Sequence, residues 1–293
     1  MRRSWIVPVL LVAFFLSSTA AAWAQTIGLS ISTLNNPFFV DLRDGAQAAA
    51  QKAGVRLVVG DAQDDPARQL ADIENFIVQG VDLIIVNPTD SSAVVPAILQ
   101  ANAAGIPVIT VDRGTDDGEV VSHIASDNVA GGRMAGEYIV EQLGGSGKVV
   151  ELVGIPGASA ARDRGQGFNE VIGQHAGIQV VARQTANFDR AQGLSVMENI
   201  LQAQPEIDAV FAHNDEMALG ALTAIEASGR KIMVVGFDAT DDAVRAVEEG
   251  RMAATVAQQP ILMGELAVQT AIAYLQGQAV DPFLPVPLML VTK

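Results

Sequence analysis

The sequence contains no cysteine. That one absence removes disulfides, thiolate catalysis, Cys-ligated zinc and iron–sulfur clusters. Basic residues are scarce as well, 18 against 33 acidic, for a formal net charge of −15 over 293 residues. No nucleic acid is expected as a partner, because a phosphate backbone needs a basic face. Aromatics make up 5% of the chain, and both tryptophans, Trp5 and Trp23, lie within the first 24 residues. Apolar residues, at 49%, are abundant enough for a substantial core and exclude disorder as the main state. The length admits one large domain or two ordinary ones.

Catalytic signatures are missing too. The first strand candidate carries Gly28 without the rest of a G-x-G-x-x-G. The run Gly144–Lys148 resembles part of a phosphate loop, but Gln142 stands where its first glycine belongs and Val149 where Ser or Thr belongs. There is no H-E-x-x-H, G-x-S-x-G or EF-hand loop. His123, His175 and His213 are far apart and read as structural; His213, beside Asn214, is the one with a claim to more. No enzymatic activity, cofactor or metal is expected.

The chain opens MRRSWIVPVLLVAFFLSSTAAAWA. Arg2 and Arg3 precede an apolar run from Trp5 to Leu16, and small residues lead to Ala22-Trp23-Ala24. This is the pattern of a secretory signal peptide over 1–24, cleaved after Ala24. The apolar run is shorter than the ~20 residues of a membrane span. Without a cysteine at the cleavage point there is no lipid anchor, so a free periplasmic protein is expected. The mature chain has 269 residues, a net charge of −17, eight phenylalanines and two tyrosines.

Beyond the leader, short β-rich runs alternate with amphipathic stretches. Strands are expected at Thr26–Ser32, Val55–Gly60, Leu83–Val86, Val108–Val111 and Val121–Ala125. A second series is expected at Lys148–Val153, Gln179–Gln184, Ala209–Ala212, Ile232–Gly236 and Ala254–Ala257. Between them, Leu70, Ile73, Phe76 and Ile77 form one stripe of a helix from Pro66 to Gln79. Asp90 or Ser91 is expected to cap a helix to Ala104, and Asp215 one over Glu216–Ser228. The βα alternation predicts an α/β fold of doubly wound parallel sheets. About ten strands are too many for one ordinary sheet, so two lobes are expected, dividing near Ser126–Asn128. Pro282, Pro285 and Pro287 in the tail suggest further crossings between them.

In such sheets ligands bind beyond the carboxyl ends of the strands. The residues there are Asn36, Phe38 and Phe39, then Asn87, Asp112, Arg113 and Ser126, and in the second series Arg164, Phe188, Asn214, Asp238 and Gln258. Carboxylates, guanidiniums and amides each offer two hydrogen bonds in one plane, which suits neighbouring hydroxyls. Phenylalanine faces suit the C–H faces of a sugar ring. Acidic and basic members roughly balance, which favours a neutral polyol over an anion. Asn or Asp after a strand is also ordinary capping chemistry, and Asn35, Asp127 and Asp215 are assigned to caps on that ground.

Five segments carry a resemblance: Ser32–Phe39, Asn87–Asp90, Ser122–Asn128, Asn214–Ala221 and Val234–Asp238. They resemble the periplasmic D-ribose-binding proteins, soluble receptors of sugar ABC transporters, and the likeness covers nearly all of residues 26–293. It implies two lobes joined by a three-crossing hinge with the ligand cleft between them, one lobe of 25–126 plus 259–287 and the other of 127–258 plus 288–293. It implies phenylalanines at 38, 39 and 188 sandwiching the sugar and the nine polar residues above contacting it. One departure is Ala239, where the family leads one to expect glycine. The glucose and galactose receptors share the fold but carry a site tryptophan and a calcium loop, and the mature chain has neither.

The expected function is therefore a monomeric receptor that captures D-ribose by lobe closure and delivers it to a membrane permease of the ABC type. The alternative ligands are allose, another pentose or a signalling furanose. Some family members are also read by a chemotaxis receptor, and that second partner stays open. Sugar-responsive repressors share the two-lobe core but need an N-terminal DNA-binding helix pair, where this chain has a leader.

Overall fold

The computed structural model describes residues 25–293; the leader expected at 1–24, with its cleavage site, lies outside them. From the amino end come β1 (Thr26–Ile31), α1 (Pro37–Ala53), β2 (Arg56–Asp61), α2 (Pro66–Gln79), β3 (Leu83–Val86), α3 (Val95–Ala103), β4 (Val108–Val111) and β5 (Ser122–Ser126). A second series follows: α4 (Asn128–Gln142), β6 (Gly147–Val153), α5 (Ser159–Ile172), β7 (Ile178–Thr185), α6 (Arg190–Ala203), β8 (Ala209–Ala212), α7 (Asp215–Ser228), β9 (Met233–Asp238), α8 (Asp241–Glu248) and β10 (Ala254–Ala257). The chain ends with α9 (Pro260–Leu275), β11 (Phe283–Val286) and β12 (Met289–Thr292).

These strands form two six-stranded sheets, ordered β11-β5-β4-β3-β1-β2 and β12-β10-β9-β8-β6-β7. Each is therefore the same 2-1-3-4-5 winding with one strand added at the edge. The first sheet is parallel throughout, while β12 joins the second antiparallel to β10. A shared tie marks the duplication: Asp82 Oδ2 accepts from Thr26 N, and Asp208 Oδ2 from Lys148 N, both at 2.7 Å.

Near-continuous apolar strands are covered on both faces, as the sequence leads one to expect. Leu83 and Ile85 of β3 pack with residues of α1 and α9, whereas Ile84 and Val86 pack with those of α2 and α3. The second sheet repeats this with Leu152 and Val234 on one face and Phe211 and Phe237 on the other. Helix α2 has the expected bounds: Asp65 Oδ1 accepts from Ala67 N at 2.8 Å, Pro66 opens the first turn and Gly80 ends the last.

The chain passes between the sheets at 126–128, 257–260 and 286–289. The last passage explains the strands that the sequence hides. Strand β11 carries Pro285, and it sits at the sheet edge, where a missing N–H costs nothing. Helix α3 starts at Val95, later than expected, because Asp90 Oδ1 accepts from Ser92 N and Ala93 N and holds a separate turn first.

Candidate ligand-binding site

Ten of the twelve residues singled out from the sequence line one cavity between the lobes: Asn36, Phe38, Phe39, Asp112 and Arg113 from the first, and Arg164, Phe188, Asn214, Asp238 and Gln258 from the second or its hinge. The space outside protein atoms there, open solvent included, is about 230 Å³.

Local structure explains how each group arrives. Asn36 caps α1, its Oδ1 accepting from Phe38 N at 3.0 Å, so Phe38 and Phe39 enter on the first turn. Their rings meet edge to face, centroids 5.2 Å apart. Asn214 caps α7 through Met217 N at 3.0 Å, while its Nδ2 donates to the Phe188 carbonyl at 3.2 Å. Both asparagines thus cap a helix and line the cavity. Asp215, expected to be the cap, instead lies buried and accepts from Thr240 N and Thr255 Oγ1, each at 2.8 Å. Asn35 is exposed and caps nothing, whereas Asp127 caps α4 as expected.

Arg113 spans the cleft. Its guanidinium lies 5.0 Å from the Phe39 centroid and 5.1 Å from that of Phe188, so it is stacked between rings of opposite lobes. Arg164 is fixed on three sides: Nε donates to Asn128 Oδ1 at 2.8 Å, Nη1 to the His213 carbonyl at 2.7 Å, and Phe237 packs 3.8 Å from its Cζ. Phe188 is brought close by the absence of a side chain at Gly154, where a Cβ would stand 2.1 Å from its ring.

The two remaining candidates are not on the cavity wall. Asn87 stands behind Asp112: its Nδ2 donates to Asp112 Oδ2 at 3.3 Å and its Oδ1 accepts from Ser32 Oγ at 2.7 Å. It orients a cavity residue. Ser126 ends β5 with a buried, unpartnered Oγ. Among the described residues, Asp112 Oδ1, Arg113 Nε and Gln258 Oε1 of the wall also have no protein partner and are buried. Buried polar atoms are ordinarily satisfied, so these three groups on one cavity wall suit a ligand that supplies both donors and acceptors.

The site carries backbone strain. Asp112, Phe188 and Asp238 have φ of 62°, 60° and 119°, in the left-handed region that L-residues avoid. Such conformations cost on the order of 1–3 kcal/mol each and persist where function requires them. Ala239, the departure noted above, also has positive φ, 57°.

Electrostatics are set by burial. Burial pushes the Asp112 carboxyl above its usual range, against the pull of Arg113 and Arg164. Burial likewise raises Asp238, to about 7, with Arg164 opposing most strongly. Asp215, desolvated and near Asp238, is raised well above the ordinary carboxylate value. His213 is buried, its Nε2 3.0 Å from Glu151 Oε1, and lies behind Arg164. It is a supporting residue.

Sequence reasoning missed one cavity residue, Ala160. The available signal was its spacing, four residues before Arg164 on one face of α5.

Two α/β lobes that enclose a small polar cavity define a receptor that surrounds its ligand. The chain belongs to the periplasmic binding protein domain family, which it matches over residues 27–279. It is 52% identical to the ribose import binding protein of Haemophilus influenzae over 283 residues, covering 97% of this chain and 96% of that protein. It is equally identical to the ribose import binding protein of Escherichia coli K12, over 97% of both chains. Among solved structures, an ABC transporter solute-binding protein of Bacillus halodurans with bound myo-inositol superposes with a TM-score of 0.89, at 36% identity and 94% and 96% coverage. One from Actinobacillus succinogenes with bound D-allose gives 0.85, at 33% identity and 92% and 97% coverage. These relatives are named as binding components of transport systems.

Proposed function

We propose that this chain is an exported receptor that captures D-ribose between its lobes and delivers it to the permease of an ABC-type importer. The observation that carries the proposal is a single cavity completed by both lobes, in which Arg113 of one is stacked against Phe188 of the other. A sugar held by one lobe gains its remaining partners only on closure, so it shifts an open–closed equilibrium by its greater affinity for the closed form. The eleven residues on the wall, Ala160 included, are its contacts, with Asn87 acting through Asp112. The lobes divide as 25–126 with 259–287, and 127–258 with 288–293. Residues 1–24 act as a cleaved leader, and the monomer works in the periplasm.

Relatives at 52% identity that are named for ribose support that ligand. A pentose has about ten heavy atoms, and at a ceiling of ~1.5 kcal/mol per atom micromolar binding or better is within reach. Solved relatives at 33–36% identity hold myo-inositol and D-allose in the same fold, which keeps a second reading, another small polyol, in play. A thermal-shift screen of about twenty monosaccharides separates the two, since a ligand of the native state raises the melting temperature. Ribose should give the largest shift; a larger shift with another sugar transfers the assignment to it.

A further inference from the structure

We infer that the methyl group of Ala160 is the size gauge of the site, limiting how large a monosaccharide the closed cleft accepts. This rests on the sugar-receptor reading above and adds to it a residue that selects among sugars.

Three observations converge on this residue. First, its direction: Ala158 and Ala161 pack into the hydrophobic core of the second lobe, whereas Ala160 does not, and lines the cavity instead. Second, its company: the other residues on the wall are polar or aromatic, suited to hydroxyls and ring faces. Ala160 offers the ligand only a methyl group, so its contribution is shape. Third, its fixity: the first turn of α5 and the loop before it are held against the opposite lobe on both sides of Ala160. Ser91 N donates to the Gly157 carbonyl at 2.9 Å, Gly114 N to Ser159 Oγ at 2.9 Å, and Arg162 Nη2 to Asp116 Oδ1 at 2.9 Å. At Gly157 the approach is so close that a Cβ would lie 1.7 Å from Asp90 Oδ2.

The fixity matters most. A wall that can recoil does not measure size, because a larger ligand displaces it. With residues 157, 159 and 162 bonded across the cleft, the backbone at 160 cannot retreat while the lobes stay closed. Added bulk, on the ligand or on residue 160, must therefore break those bonds and oppose closure. In the open form the same bulk faces solvent and harms nothing, so the effect falls on binding and not on the fold.

D-Ribose and D-allose are suitable probes, because allose repeats the ribose hydroxyl configuration and adds a hydroxymethyl group. Affinities for both sugars are measured by calorimetry on wild type, Ala160→Gly and Ala160→Val, with melting curves of the sugar-free proteins. Ala160→Val should weaken ribose binding by roughly tenfold or more, with the sugar-free melting temperature kept. Ala160→Gly should narrow the ribose-over-allose ratio by about threefold or more. A smaller change of ratio in the glycine variant, or ribose affinity kept within that factor in the valine variant, overturns the inference. Wild type that binds neither sugar overturns the receptor reading instead, so the two failures are distinguishable.

Discussion

Asp112 and Asp238 hold the same place in the two lobes. Each stands at the carboxyl end of the fourth strand of its series, each has positive φ, and each turns its carboxylate into the cavity. Each has an arginine beside it, Arg113 Nε at 3.7 Å from Asp112 Oδ2 and Arg164 Nη1 at 3.6 Å from Asp238 Oδ1. Each also receives an amide: Asn87 Nδ2 donates to Asp112 at 3.3 Å and Gln258 Nε2 to Asp238 at 2.8 Å. Two halves of a duplicated fold thus carry matching carboxylate–arginine–amide sets around one cavity, Gln258 on its wall and Asn87 behind it.

Replacing either carboxylate by its amide keeps the shape and removes the charge proposed to accept sugar hydroxyls. Hydrogen bonds to charged groups contribute about 1.5–3 kcal/mol, so Asp112→Asn and Asp238→Asn should each weaken ribose binding by roughly 10- to 150-fold. Calorimetry on both variants checks this, and undiminished affinity in both contradicts the assignment.

Because burial raises Asp238 to about 7, a hydroxyl-accepting carboxylate must be deprotonated on binding at lower pH. Ribose affinity should therefore fall as pH drops below 7. Calorimetric titrations with ribose from about pH 5 to about pH 8 check this, and an affinity independent of pH over that window contradicts it.

Arg113 depends on a flat guanidinium stacked between Phe39 and Phe188. Lysine keeps the charge but has neither the plane nor the fork. Arg113→Lys should weaken ribose binding by about tenfold or more, with the sugar-free melting temperature little changed. Equal affinities would mean that charge alone matters there.

Ala239 has φ of 57° beside the cavity and no place on its wall. Left-handed backbone costs a non-glycine residue roughly 1–2 kcal/mol. Ala239→Gly should recover about 1 kcal/mol, or a 2–4 °C rise in melting temperature for a chain of this size, and leave ribose affinity unchanged. An unchanged or lower melting temperature contradicts the strain reading.

The fold was legible because buried parallel strands announce themselves: runs such as Leu83–Val86 and Ala209–Ala212 are apolar on both faces and bounded by turn residues. The last two strands were not, since β11 is broken by proline and β12 is an edge. The polar part of the site was legible because strand ends in a doubly wound sheet collect ligand groups. What a single residue does there was harder to read. Asn87 and Asn214 follow equivalent strands, yet one stands behind a carboxylate and the other lines the cavity while capping a helix. Asp215 reads as a cap, and only tertiary packing reveals that Thr240 and Thr255 claim it. Ala160 has no polar group to mark it, and its place follows from the direction of α5.

Capture by closure is tested most directly by small-angle X-ray scattering of residues 25–293 with and without saturating D-ribose. Ribose should reduce the radius of gyration and bring the scattering curve into agreement with the closed two-lobe structure. Identical curves in the two conditions would contradict ribose capture by lobe closure.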